Sequence, residues 1–319
     1  MTTKEIQMAN TSAVTRVSDN LGSKSKTSAQ AQASSRSRST ASKLVHGNDI
    51  DIEGGASISR ASDSWMNERR GVKYVGVFVM RNGKPEGEGA ITYGKGRGGV
   101  YTGHFKDGKP HGFGKMDWER GDSYEGMWQN GKKHGTGKCT YVHGHAYEGE
   151  WREGKKHGQG KMDWEGGDSY EGMWQNGKEH GTGKCTYVHG HVYQGEWMEG
   201  KKHGQGKMDW EGGNSYEGEW VHGKQHGVGK ETRKHHVYEG EWVHGKKQGV
   251  GEMKYWSRAD GDVVKGIWKN GNLRAGKVIY ANGDEYVGDL RSGFPDGHGK
   301  MTKANGTEFE GDWCLGDAF

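Results

Sequence analysis

The sequence predicts an all-β protein: an elongated single-layer antiparallel sheet of about eleven stacked β-hairpins, solenoid-like, preceded by a disordered N-terminal tail. Three observations carry this. Glycine supplies 60 of 319 residues and hydrophobic residues only 30%, which excludes a thick aliphatic core. Aromatic landmarks recur at a fixed period. Tyr124, Tyr147, Tyr170, Tyr193 and Tyr216 follow one another at 23 residues, with Tyr74 and Tyr101 before them and Tyr238, Val264, Tyr286 and Phe309 after. Around each landmark the residue types alternate with period two, as in a strand with one buried face. A helix is excluded, because two glycines every few residues would cost about 1 kcal/mol each relative to alanine.

Residues 1–64 read as a separate, disordered segment, and residues 65–319 as the repeat array. By residue 43 the segment holds ten serines and six threonines with few aromatics, a composition that cannot bury much surface. Within it, SSRSRSTAS (34–42) sets hydroxyls beside arginines, so Ser37, Ser39 and Thr40 are candidate phosphorylation sites; added phosphate would cancel the local positive charge. No apolar signal core is present, and no 18-residue apolar stretch that would span a membrane as a helix.

In each unit the first strand carries the landmark. Over Tyr147–Trp151, alternation places Tyr147, Gly149 and Trp151 on one face and Glu148 and Glu150 on the other; the return run Gly160–Trp164 places Gly160, Met162 and Trp164 together. EGKKHG supplies the glycines of the tight turn between them, and EGGDS turns the chain toward Tyr170. A strand glycine between two aromatics leaves a slot that a neighbouring ring can cover. The same triads recur as Tyr124, Gly126, Trp128; Tyr170, Gly172, Trp174; Tyr193, Gly195, Trp197; Tyr216, Gly218, Trp220; and Tyr238, Gly240, Trp242. Residues 117–162 and 163–208 match at 41 of 46 positions, differing only at Arg120/Gly166, Lys133/Glu179, Ala146/Val192, Glu148/Gln194 and Arg152/Met198.

The candidate chemistry is sparse. GKGRGG (94–99) fits a phosphate-loop pattern but precedes a strand, not a helix, and reads as a hairpin loop. His143/His145, His189/His191 and His235/His236 fall in turns as pairs, too few for a four-ligand structural zinc site. His134, His157, His180, His203 and His226 belong to the repeated Gly-Lys-x-His-Gly turn and read as structural parts of it. Cys139 and Cys185, four strands apart, read as free thiols of a reducing compartment. The acidic Glu148 and Glu150 face outward, with cross-strand partners such as Lys161. No catalytic, cofactor or metal site is expected. The near-balance of 46 basic and 42 acidic side chains does not point to nucleic acid. The most suggestive feature is basic: Lys132, Lys133, Lys155, Lys156, Lys178, Lys201, Lys202, Lys224, Lys246 and Lys247 are expected in one recurring turn, forming an edge that an anionic lipid surface or acidic protein would attract. Charge at such an edge also keeps a protein soluble.

YEGEWVHGKKQGVGEMKY (238–255), YEGMWQNGKKHGTGKCTY (124–141) and its copies resemble the MORN repeat, the membrane occupation and recognition nexus motif. The resemblance spans residues 74–313; Val264 replaces the tyrosine of one unit and Leu290 the tryptophan of another. It implies the company of junctional membrane tethers, phosphoinositide kinases, a lysine methyltransferase, ciliary radial-spoke heads and protist cytoskeletal scaffolds. Where such proteins catalyse, a separate domain does so, and this chain resembles the MORN-only scaffolds. The expected role is a non-enzymatic scaffold for cytoskeletal or ciliary proteins, cytoplasmic and without cofactor. Two alternatives stand beside it: a peripheral membrane protein reading phosphoinositide or phosphatidic acid through the lysine edge, and a targeting subunit for an enzyme on another chain. A homodimer through the C-terminal repeats is expected, because FEGDWCLGDAF (309–319) is read as a strand with no return strand.

Overall fold

The computed structural model describes residues 60–61, 65–67, 72–94, 98–256 and 261–318. They form one 24-stranded antiparallel sheet and no helix. From Val72–Arg81 onward each strand pairs with the next in sequence, through to Asp317–Ala318. The short strands Arg60–Ala61 and Trp65–Asn67 both pair with Val72–Arg81. Sheet pairing thus reaches Arg60, four residues inside the segment expected to be disordered; the rest of that segment, with Ser37, Ser39 and Thr40, lies outside the described residues.

The unit beginning at Tyr170 shows why these residues make a hairpin. Strands Ser169–Gln175 and Lys178–Thr186 are joined by Asn176-Gly177, both at positive φ (53° and 91°). That is a two-residue type I′ turn, whose twist matches the flanking strands. Ten further turns have the same form, with Asn, Asp, Glu, His, Ser or Leu before the glycine. The turn is therefore shorter than expected, and the lysines and histidine after it belong to the return strand. Each turn also bonds to its neighbour: the Gly177 N–H donates to the Lys156 carbonyl (2.9 Å), and Gly200 to Glu179 (2.9 Å).

Past the turn the return strand carries a bulge. Between the pairs Gly172–Gly183 and Trp174–Glu179, one outgoing residue faces His180, Gly181 and Thr182. Gly181 takes φ 58°, which an L side chain resists. Toward the following strand the register is regular, Gly181 opposite Trp197 and Gly183 opposite Gly195.

The core is one layer of rings. The landmark tyrosines Tyr101, Tyr124, Tyr147, Tyr170, Tyr193, Tyr216 and Tyr238 are 0% exposed. The Tyr170 ring lies on the glycine pair: a Cβ at Gly183 would fall 2.5 Å from its Cζ and 2.6 Å from its Cε2. Its hydroxyl donates to the Met173 carbonyl (2.9 Å), so no polar atom is buried unpaired there. Its edge contacts run both ways, to Trp174 of its own hairpin (5.1 Å, 87°) and Trp197 of the next (5.2 Å, 85°). Trp197 in turn donates its indole N–H to the Gly183 carbonyl (3.2 Å). Tyr and Trp alternate in this way from Tyr101 to Trp268. The ladder changes at Val264, where Leu273 and Val278 are the buried side chains, and resumes as Tyr286–Trp313. Strand pairing continues without a break across that change.

At the C-terminus Leu315-Gly316 make the same turn, and Asp317–Ala318 pair back onto Trp313 and Cys314. The final unit therefore does have a return strand, two residues long, contrary to expectation.

Two outcomes follow from this packing. Gly183→Ala drives a methyl into a ring wedged between two tryptophans, so urea denaturation should register a loss of about 1–3 kcal/mol. Gly166→Ala, with open space around it, should stay within about 0.5 kcal/mol; equal costs for the two would contradict ring-over-glycine packing. Burial also pushes the seven ladder phenols well above their ordinary value of about 10. A pKa raised in the folded state means stability is full below about pH 10 and falls as pH climbs past it, because the unfolded chain loses those protons first. Phenolate absorbance and loss of strand circular dichroism should consequently rise together in an alkaline titration. Phenolate formation on a still-folded array would contradict this.

Candidate functional site

The ten lysines divide into two sets, because successive strand residues face opposite ways. Lys132, Lys155, Lys178, Lys201, Lys224 and Lys246 open their return strands and are exposed. Two of them are ion-paired to acids in the next turn, Lys132 to Glu153 (2.6 Å) and Lys178 to Glu199 (2.7 Å). The second residue of each return strand stands opposite the tryptophan, on the ring face. Lys133 is held there over Trp118, Tyr124 and Trp151 at 4.9, 4.8 and 4.5 Å from the ring centroids. Lys156 lies 4.3 Å over Trp174, and Lys202 and Lys247 lie over tyrosines at 4.9 and 4.6 Å. Burial pushes the Lys156, Lys202 and Lys247 ammonium groups below their ordinary range. The expected single edge of ten turn lysines is thus a row of six, with four ammonium groups turned to the rings.

Lys247 has a second partner. Glu231 occupies the position of Met162 and Met208, is buried, and bonds Lys247 (2.9 Å) and Arg233 (2.6 Å). Burial pushes the Glu231 carboxyl up, but the two cations hold it below the usual range. Elsewhere the same position carries sulfur: Lys133 donates to Cys139 Sγ (3.0 Å), Lys156 to Met162 Sδ (3.3 Å). Cys139 and Cys185 are both free and buried.

The opposite face is charged and exposed. Glu125, Lys138, Glu148, Lys161 and Glu171 alternate in sign across five strands. Lys161 stands opposite Glu148 but bonds Asp163 (2.9 Å) along its own strand, while Glu148 meets Lys138 at 3.5 Å. Such exposed pairs contribute little stability. Glu150 has a backbone role the sequence did not reveal: its carboxylate accepts the bulge N–H of Gln159 (2.9 Å), as Glu196 does for Gln205. A groove of about 1030 Å³ runs over this face, bordered by Phe113, Gly137, Gly149 and Gly160. Farther along, Val228, Val250 and Ile267 are exposed aliphatics, Val250 opposite Ile267.

One histidine of each of two turn pairs holds a neighbouring loop through a backbone hydrogen bond. His145 Nδ1 accepts the Glu165 N–H (3.0 Å) and His191 Nδ1 that of Glu211 (2.9 Å), tying successive loops together; Asp122 and Asp168 do the same for Val142 and Val188. His134, His157, His180, His203 and His226 sit in the strands, not the turns, each with a buried Nδ1 that has no hydrogen-bond partner. No group of three or more metal-ligating side chains occurs among the described residues, and no helix among them is long and apolar enough to cross a membrane. The 94–99 loop leads into strand Gly99–Lys106; its residues 95–97 lie outside the described set.

Among solved structures, the chain is similar to the TCP domain of SAS-4 (dCPAP) of Drosophila melanogaster, solved with a proline-rich motif of Ana2. The identity is 14%, over 56% of this chain and 84% of that one, with a TM-score of 0.26. It is also similar to a streptogramin B lyase at 10% identity, over 76% of this chain and 87% of that one, with a TM-score of 0.15. Similarity this low carries no inference. No curated protein matches the chain. The MORN repeat family profile matches nine segments, residues 79–96, 101–123, 124–145, 147–169, 170–192, 193–215, 216–234, 238–255 and 286–308. Together these cover more than half of the chain, and they carry the Tyr-Gly-Trp ladder and turns described above; the protein belongs to the MORN-repeat family.

Proposed function

We propose that this MORN array is a non-catalytic scaffold that presents a long, regular surface to protein partners at cytoskeletal, ciliary or membrane-associated structures in the cytoplasm. The observation that supports this most is how the two faces are used. The ring face is consumed in holding successive hairpins together, while the other face carries charges that alternate in sign strand by strand, with exposed aliphatics farther along. A surface of that kind suits many weak, aligned contacts with another protein.

Self-association through the last repeats belongs to this reading. Phe309 takes the tyrosine position of the final unit yet is 50% exposed, where the other ladder tyrosines are 0% exposed. Among the described residues its strand is paired on the outer edge only at Trp313 and Cys314. Light scattering should give a dimer for the full chain and a monomer when residues 286–319 are removed. A monomer in both cases would refute this contact.

The lipid alternative rests on the six exposed lysines, two of them already paired to glutamates. A scaffold without lipid specificity should not float with phosphoinositide or phosphatidic-acid vesicles at physiological salt. Flotation that disappears when Lys132, Lys155, Lys178, Lys201, Lys224 and Lys246 are replaced by Ala, with thermal stability unchanged, would install the lipid reading in its place. A targeting subunit is distinguished by stoichiometric co-purification of an enzyme on a separate chain.

A further inference from the structure

The near-duplication of residues 117–162 as 163–208 supplies an internal comparison at the ring face. In the first copy the Lys133 ammonium is enclosed by Trp118, Tyr124 and Trp151, and the enclosure opens onto a cavity of about 530 Å³ bordered by Trp118, Arg120, Asp122, Cys139 and Tyr141. Forty-six residues on, the same walls are Trp164, Tyr170 and Trp197, with Asp168, Cys185 and Tyr187 in the bordering positions. The ring geometry repeats: Tyr124–Trp151 are 5.4 Å apart at 84°, Tyr170–Trp197 5.2 Å at 85°. The loop geometry repeats as well, with Trp118 bonded to the Asp122 carbonyl and Trp164 to that of Asp168, each at 2.9 Å.

What differs is the charge. Glu179 stands where Lys133 does, and Gly166 where Arg120 does, so two of the five differences remove basic groups from this side. No lysine or arginine among the described residues lies over Trp164, Tyr170 or Trp197. The Glu179 carboxylate is set toward the next turn, close to Gly200. Lys156 and Lys202 occupy the rungs on either side: Lys156 lies over Trp174 within electrostatic reach of Glu179, and Lys202 lies over Tyr187, one of the bordering rings. The chain itself shows what rings plus a carboxylate accept: Lys247 is held by Tyr238, Trp242 and Glu231 together. An ammonium over electron-rich ring faces is attracted by their quadrupoles, and a nearby carboxylate adds to the attraction.

We infer that the Trp164–Tyr170–Trp197 enclosure, with Glu179 at its rim, receives a lysine side chain from a protein partner, as its sister encloses Lys133. This deepens the scaffold reading by naming the chemistry of one partner contact. Its failure would appear in a defined titration, whereas failure of the scaffold reading would appear in the light scattering and co-purification.

The test is ligand-observed saturation-transfer NMR on the full chain, titrated with a Gly-Lys-Gly peptide, its Nε-trimethyl form, and Gly-norleucine-Gly as the uncharged control. The expected result is saturable binding of the lysine peptide and none of the norleucine peptide. Glu179→Lys should weaken that binding at least tenfold, because it restores the chain's own ammonium. This variant reproduces the Lys133 arrangement, so it should fold, and an unchanged thermal midpoint checks that it does. Lys133→Glu should roughly double the number of sites. Equal binding by wild type and Glu179→Lys would overturn the inference, leaving Glu179 a neutraliser of Lys156. So would the absence of saturable lysine binding. Binding confined to the trimethylated peptide would overturn it in favour of a quaternary-ammonium ligand.

Discussion

A tyrosine ring lying flat on a pair of facing glycines is the contact on which the rest of this structure depends. A single-layer sheet has no second layer to exclude water from its apolar face, so the rings must do it. At Tyr170 the ring can approach the backbone only because Gly172 and Gly183 both lack a Cβ: at Gly172 a methyl would meet the Thr182 carbonyl oxygen at 2.6 Å, and at Gly183 the ring itself. The close approach also brings the phenol within reach of the Met173 carbonyl, which removes the desolvation cost of its hydroxyl. Glycine in a strand is ordinarily a weakness. Here the ring that covers it recovers the loss, and the two residue types are meaningful only as a pair.

The ladder propagates from that contact. Each buried tyrosine from Tyr124 to Tyr238 leaves two edges for tryptophans, one from its own hairpin and one from the next, and such edge-to-face pairs add about 0.5–1.5 kcal/mol beyond the area they bury. The next hairpin's indole also satisfies the glycine carbonyl beneath it. Stability is thus a sum of nearest-neighbour terms, and a unit can change its contents where its neighbours still fit. The Val264 unit illustrates this: Leu273 and Val278 are buried without a tyrosine, and the backbone pairing runs on. In the final unit Phe309 takes the tyrosine position and, with no hairpin packed over it among the described residues, is half exposed.

Much of this was legible in the sequence, because the signal that carries it has period two. Tyr147, Gly149 and Trp151 share a face in any strand, and a 23-residue spacing repeats that face unit by unit. The fold class, the hairpin count and the use of glycine under rings followed. The lysines did not, for an identifiable reason. Reading EGKKHG as one turn placed Lys155 and Lys156 together at an edge. A strict two-residue Glu-Gly turn puts Lys155 and Lys156 on opposite faces, the second beside Trp151. The bulge hid the histidines in the same way: a local register shift at His180 and Gly181 breaks the alternation on which the reading relied. The loop ties through Asp168 and His145 join loops about twenty residues apart and lie outside the period-two alternation of the strands, so the strand pattern did not announce them.

The duplicated block shows where such an architecture leaves room for function. All five differences between residues 117–162 and 163–208 fall at exposed or half-buried positions, and none on a fully buried tyrosine, tryptophan, methionine or cysteine. The physical reason is that a ladder residue touches rings in two hairpins, so changing it strains both, whereas the changed residues other than Lys133/Glu179 lie at margins that meet solvent. Exchange of Glu148 for Gln194 or Arg152 for Met198 alters only the charge pattern that a partner meets. Exchange of Lys133 for Glu179 is different in kind: it leaves the walls intact and reverses the charge at an enclosure of rings. An array whose interior is repetitive by necessity can acquire individuality only at its rims and outward face, and that position combines the largest change of charge with the most enclosed surroundings.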